Sequence, residues 1–203
     1  MARNADQNQR MRDESRRKIL SSSLKLFATK GLGATKITDI VEESGISQGL
    51  LYHYFRSKEE IFVELIRHAL QGMNAAARAL EKLPLTPTEK IARAITELLR
   101  AMSENDDFAR YFLLVAQANF SEAIPEEARA IIKEESDEPH EVMARIMRSG
   151  QQDGSIKKHR AEDLALVFWV LMKGFALHKA ARGAEFTLPD TRILIDFFKN
   201  GEK

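Results

Sequence analysis

Apolar residues recur along this chain at three- and four-residue spacing, which is the signature of helices with one buried face. Leu20, Leu24 and Phe27 form the first such stripe, predicting a helix from about Asp13 to Thr29 that stops at Lys30-Gly31. Ile37, Ile40 and Val41 form a second, shorter one, and Leu51 and Phe55 a third. Between these two lies Ser44-Gly45-Ile46-Ser47. Gly45 suits the left-handed residue that ends a helix, and Ser47 can cap the next one. Ser57 and Glu60 then mark the start of a fourth helix, expected over 58–82 and carrying Ile61, Leu65 and Leu70. Thr86-Pro87-Thr88-Glu89 restarts the pattern with a cap, a proline and a capping glutamate.

Further helical segments follow at Phe108–Phe120, after Pro125-Glu126-Glu127, from about Ala161 to Ala181, and from Pro189-Asp190 to Asn200-Gly201. Gly150 to Gly154 reads as a turn. No alternating segment predicts a strand. The expectation is an all-α chain of about nine helices with short polar connections. Its parts are a flexible basic tail (1–11), a three-helix helix-turn-helix unit (12–57), a connecting helix (58–82) and a larger helical domain (83–203).

Two short helices joined by a three- to four-residue turn are the geometry that lays a second helix in the DNA major groove. The polar face of that helix offers Gln48, Tyr52, His53 and Tyr54. The matching positions extend further. They are Ile19-Leu20, Leu26-Phe27, Gly31, Ala34-Thr35, Ile37, Asp39-Ile40, Ser44 to Ser47, Gly49, Leu51-Tyr52, Tyr54-Phe55 and Lys58-Glu59. In these residues the segment 12–65 resembles the N-terminal domain of the tetracycline-repressor (TetR) family of bacterial transcription regulators. The family commonly has His where this chain has Tyr54, with a His displaced to position 53.

The resemblance implies DNA contacts from Lys36, Thr38, Ser47, Gln48, Gly49, Leu50, Tyr52, His53, Tyr54 and Lys58. Chemistry divides them. Thr38, Ser47, Tyr52, Tyr54 and Lys58 suit phosphate or sugar oxygens, whereas Gln48 and His53 suit base edges. Gly49 allows close backbone approach, and Leu50 offers apolar contact to a thymine methyl. The competing readings are an inert surface for Gln48, His53 and Lys58, and partial core for the two tyrosines.

Composition narrows the class. The chain has 203 residues, 44% apolar and 30% charged, an ordinary globular balance. A net charge of +1 hides an uneven distribution, because residues 1–30 hold eight Lys and Arg against three acidic residues. A locally basic end fits a nucleic-acid footprint. With no cysteine there is no disulfide or thiolate metal site. No signal-peptide pattern opens the chain, and the longest apolar run, Leu164 to Met172, is too short to span a bilayer. The expected location is therefore the cytoplasm.

Catalytic patterns are incomplete. His140-Glu141-Val142-Met143-Ala144 begins like a zinc-protease motif, but Ala144 stands where the second histidine is needed. Gly31-Leu32-Gly33 has no preceding strand and Lys36 in place of the third glycine. No enzyme activity and no cofactor are expected.

The run Leu164 to Met172 is apolar all round, so it calls for burial on every face. A second subunit is one source of that burial, with Leu164, Val167 and Leu171 meeting Ile193, Leu194, Phe197 and Phe198. An intramolecular core is the other source. The resemblance implies the former, a four-helix homodimer interface, and with it a palindromic operator. It also implies a small-molecule pocket in the larger domain. Phe108, Tyr111, Phe112, Phe168, Trp169, Met172, Phe175 and His178 are the residues that could line it for an apolar or aromatic effector, or else form plain core. The resulting expectation is a ligand-responsive repressor. A DNA-binding dimer without an effector and a helical-bundle enzyme or carrier are the alternatives.

Overall fold

The computed structural model describes residues 2–201, and among these the backbone is helical with no β-strand. Ten α-helices follow one another: α1 (Ala2–Ala34), α2 (Ile37–Ser44), α3 (Gln48–Tyr54), α4 (Lys58–Lys82), α5 (Pro87–Glu104), α6 (Asp106–Phe120), α7 (Glu126–Glu135), α8 (Glu138–Gln152), α9 (Ala161–Arg182) and α10 (Thr191–Phe198). A single 3-10 turn, Gly183–Glu185, leads out of α9.

Most helix ends follow from local chemistry. The Thr86 hydroxyl accepts from the Glu89 N–H at 3.3 Å while the Glu89 carboxylate accepts from the Thr86 N–H at 2.8 Å, closing the capping box that opens α5. The Thr86 N–H, and then the Thr86 hydroxyl, which donates to the same carboxylate at 2.8 Å, hold the Glu89 carboxyl below its usual pKa. Ser57 caps α4 by accepting from the Glu60 N–H at 3.2 Å. Glu60 reaches one residue further back than expected, to the Arg56 N–H at 2.6 Å.

Three boundaries differ from the sequence expectation. The first helix begins at Ala2, so residues 2–11, expected as a flexible tail, continue it. Gly31, at φ 79° and ψ 163°, breaks its last turn near the predicted stop. The segment after Pro125 divides at Ser136-Asp137 into α7 and α8, with Pro139 in the first turn of the latter, a position proline tolerates. That division is why ten helices stand where about nine were expected. Gly150, read as part of a turn, is buried inside α8; a Cβ there would lie 2.2 Å from Ile156 Cγ1, so it is a packing glycine.

Two hydrophobic clusters form. The lower one joins Ile19, Leu24 and Phe27 of α1 to Ile40, Leu51, Phe55 and the first half of α4. It also takes in Leu114 and Ala118 of α6 and Ala128, Ile131 and Ile132 of α7. The upper cluster gathers Ile91, Ile95 and Leu99 of α5, Phe112, Val142, Met147, Phe168, Trp169 and Met172, closed by Leu194 and Phe198 of α10. The α4 helix contributes Ile61 to Leu70 to the lower cluster and Ala77 to the upper one. The two units are thus joined by a shared helix.

Candidate nucleic-acid interface and effector cavity

The helix-turn-helix is fixed from beneath. Ile40, Leu51 and Phe55 are fully or almost fully buried, which locks the angle between α2 and α3. Gly45 takes the left-handed conformation (φ 66°) and its N–H closes on Val41 O at 3.1 Å, as the turn requires. Ser47 caps α3 by accepting from the Leu50 N–H at 3.2 Å. Its own O–H proton remains available for a phosphate.

Gln48, the first residue of α3, is exposed, as are Lys36, Thr38, Ser47, Gly49, Tyr52 and His53. Tyr52 is 49% exposed although it is a large aromatic, whereas Tyr54 packs against the lower cluster and carries the His53 ring edge-on at 5.2 Å. A Cβ at Gly49 would meet nothing in the protein. Nothing within the chain therefore requires glycine there, which fits close approach from outside.

Lys58 corrects the sequence reading. Its ammonium donates to Leu32 O at 2.8 Å, to Thr35 O at 2.7 Å and to Gly33 O at 3.4 Å. Two close carbonyls and a longer third hold this cation at the end of α1, where the sequence had placed it at a phosphate. The basic N-terminal stretch is also partly consumed internally: Arg16 pairs with Glu64, Lys18 with Glu14, Lys25 with Glu43 and Lys30 with Asp39.

The upper cluster is hollow. A cavity of about 610 Å³ lies between α4, α5, α6, α8 and α9, within the range of small-molecule sites. Phe108, Tyr111, Phe112, Phe168 and Trp169 line it, as the sequence suggested. Met172, Phe175 and His178 do not. Met172 is buried away from the void, Phe175 packs against the same cluster, and His178 meets Phe186 edge-on. Sequence reasoning missed most of the wall: His68, Gly72, Met73 and Leu80 of α4, Leu83 just after it, Arg93 and Leu98 of α5, and Val142 and Met143 of α8. One signal was available, the small residues Gly72, Ala76 and Ala79 at helical spacing in the second half of α4. Trp169 is fixed by its indole N–H, which donates to Pro139 O at 3.1 Å. Burial, then the nearby Asp107 and Glu64 carboxylates, push the Tyr111 phenol up to about 12, so it stays a neutral donor.

The predicted dimer residues separate into two sets. Leu164, Leu194 and Phe198 are buried within the protomer, and Val167 and Leu171 are half-buried against the same core. Only Ile193 (68%) and Phe197 (49%) of the predicted set are exposed. The uncovered stripe on α9 is instead Leu166 (56%), Val170 (56%) and Leu177 (62%), at i, i+4 and i+11. The α9 helix is therefore not apolar core all round. With its 3-10 extension, Ala161–Glu185 is long and apolar enough, by length and composition, to cross a membrane, beyond what the nine-residue run suggested. Only a third of its most apolar window is buried, and Lys179 inside it pairs with Asp106 at 3.1 Å.

A capped, exposed reading helix set on a buried two-helix corner is the apparatus of a DNA-binding transcription regulator. Family comparison agrees on both units: residues 19–65 match the model described as bacterial regulatory proteins, tetR family, and residues 84–176 match that of the tetracyclin repressor-like C-terminal domain. The chain belongs to the TetR family of transcription regulators, whose characterised relatives act on transcription rather than as enzymes.

The chain is 26% identical over 165 residues to the HTH-type transcriptional repressor KstR2 of Rhodococcus jostii, covering 79% of each. It is 31% identical over 108 residues to the HTH-type transcriptional regulator BetI of Rhizobium meliloti, covering 53% of this chain and 51% of that one. The fold is shared with KstR2 of Mycobacterium tuberculosis (TM-score 0.74, 20% identity, 92% of this chain and 95% of that one). It is also shared with FadR of Bacillus subtilis, solved with stearoyl-CoA (TM-score 0.62, 19% identity, 89% and 93%). A regulator from Saccharomonospora viridis, solved with choline, shares it too (TM-score 0.70, 21% identity, 93% and 100%).

Proposed function

We propose that this regulator works in the cytoplasm as a homodimeric repressor. It binds a two-fold symmetric operator through α3 and releases it when a small apolar effector fills the cavity. The observation that carries this reading is the course of α4. Its first half is built into the core beneath the reading helix, and from His68 onward it forms one wall of the cavity. A ligand that displaces that wall acts on the reading head through one continuous helix. An effector preferring the released arrangement a hundredfold shifts the equilibrium by about 2.7 kcal/mol, enough to lower operator occupancy strongly.

The bare stripe Leu166, Val170 and Leu177, with Ile193 and Phe197 of α10, supports dimerisation, because an apolar face of this kind is stabilised by burial against a copy of itself. Two reading heads on one rigid body would recognise a palindrome. Within the head, Gln48 is the reader of a base edge, and Thr38, Ser47, Tyr52 and Tyr54 hold the backbone. Lys36 and His53 flank them at the exposed edge, where Gly49 and Leu50 approach the groove.

The test is selection of bound sequences from random DNA by the purified full-length protein, followed by affinity measurements at rising salt. A two-fold symmetric consensus and a steep fall of affinity with salt are expected. An asymmetric consensus, or affinity indifferent to salt, would overturn the reading. Gln48→Ala should relax preference at one or two base pairs per half-site by about 1–3 kcal/mol.

A further inference from the structure

The cavity has a long axis. The α4 and α5 helices turn back along one another after Leu83, and the Lys90 ammonium donates to Glu81 O at 2.6 Å to fasten the turn. Arg93 to Leu98 of α5 therefore face the far part of α4, while Phe108 to Phe112 of α6 lie toward His68, whose ring is 5.5 Å from that of Tyr111. The wall along α4 runs from His68 to the helix end at Lys82, about 21 Å at 1.5 Å per residue, and Leu83 closes it. The other helices contribute shorter stretches, so the void is a slot rather than a sphere. Flexible side chains, Met73, Leu80, Leu98 and Met143, make up much of its wall and can adapt to a chain without a fixed shape.

Charge is confined to the α5 rim. Glu97 at the rim is engaged by Arg100 at 2.7 Å, and that contact, with a smaller pull from Arg93, keeps its carboxyl low. Arg93, one turn earlier, lines the same rim, is exposed, and makes no hydrogen bond or ion pair among the described residues. A guanidinium without a hydrogen bond of its own beside an apolar slot attracts an anion and repels a cation. The aromatic wall alone would also suit an ammonium ligand. Arg93, together with the engagement of Glu97, decides against it.

We infer that the slot takes one long unbranched acyl chain, with its anionic head on Arg93 at the rim between α4 and α5. This rests on the cavity being the effector site, as proposed above. At roughly 1.3 Å per methylene in an extended zigzag of 1.5 Å bonds, the slot accommodates about sixteen carbons. The head is either a free carboxylate or the phosphates of a thioester carrier, which share the anionic chemistry.

Trp169 is the only tryptophan of the chain and sits in the wall, so its fluorescence reports occupancy. The full-length protein is titrated with octanoate, dodecanoate, hexadecanoate, hexadecan-1-ol, hexadecanoyl-CoA, choline and a four-ring sterol, all below micelle-forming concentrations. Affinity should climb about threefold to fourfold per methylene up to hexadecanoate. Hexadecanoate should exceed the alcohol about tenfold, as expected of one charge-assisted contact, and Arg93→Gln should erase that difference while leaving alcohol binding unchanged. Tighter binding of the thioester identifies the carrier-bound form, and the reverse identifies the free acid; both support the inference. It is overturned if sterol or choline binds while the chains do not, if nothing binds, if affinity ignores chain length, or if Arg93→Gln weakens acid and alcohol equally. Operator displacement, followed in parallel, separates the two proposals. Arg93-dependent chain binding that leaves the operator bound would sink the switch but keep the ligand class. Displacement by a compound without a chain would do the opposite.

Discussion

The two hydrophobic clusters of this chain use similar residues to opposite ends. The lower one is solid: Phe27, Ile40, Leu51, Ile61 and Leu65 are buried almost completely, and Phe27 meets Phe62 edge-on at 5.6 Å. A reading head must hold its geometry, and close packing is what makes a small unit rigid. The upper cluster encloses about 610 Å³ and leaves Leu166, Val170, Leu177, Ile193 and Phe197 uncovered. It is unfinished in two places, inside and outside, and each vacancy fits a different partner. Incomplete packing in one region of a fold is thus as informative about function as complete packing in another.

The largest effect should come from the outer vacancy. Val170→Glu places a charge in the bare stripe without touching the protomer core. It should convert the protein to a monomer by light scattering and lower operator affinity by roughly 10²–10⁴-fold. A dimer that survives this change would place the interface elsewhere.

A matched pair of substitutions then compares the two interiors directly. Ala128→Leu adds three carbons to the solid lower cluster, where Ala128 is fully buried, and should cost about 1–3 kcal/mol in urea unfolding. Ala77→Leu adds the same atoms at the cavity wall and should leave stability nearly unchanged. Equal penalties would mean that the cavity is not available space.

Lys58→Met tests whether that cation serves the fold or the DNA. With three carbonyl acceptors released from a partly exposed site, stability should fall by about 1–2 kcal/mol. The slope of operator affinity against salt should stay the same, since no phosphate contact is lost. A slope shallower by about one would restore Lys58 to the interface.

The smallest effect concerns pH. Burial, then the positive charge of Lys173, lowers the pKa of His140, which stacks on Trp169. A histidine kept neutral by folding contributes stability that is present above the ordinary value of about 6.5. That contribution is lost as pH falls through the lower folded value. Unfolding free energy should therefore decline from pH 7 toward pH 5, and His140→Gln should flatten part of the decline.

Legibility differed between the regions for a physical reason. The helix-turn-helix is made by contacts within some twenty residues, so Gly45, Ser47, Leu51 and Phe55 announced it through spacing and capping preference. The bounds of α4 were readable at Ser57 and Lys82 for the same reason. Local patterns could not show that α1 continues to Ala2 or that Gly150 packs against Ile156, because each depends on neighbours outside the pattern. They also could not separate Leu164 from Leu166. Both are leucines of one apolar run, and only the positions of α5, α6, α8 and α10 determine which side of α9 is covered.

The sequence by itself determined an all-helical chain with a DNA-reading corner, since hydrophobic period, caps and turn residues act over a few residues. Tertiary structure alone decided that Lys58 closes α1, that Met172 and His178 lie outside the cavity, and that α4 forms its longest wall. It decided equally that Leu166, Val170 and Leu177 form the bare stripe. Cavities and uncovered faces are places where packing between distant helices is incomplete, and no local pattern encodes the absence of a neighbour.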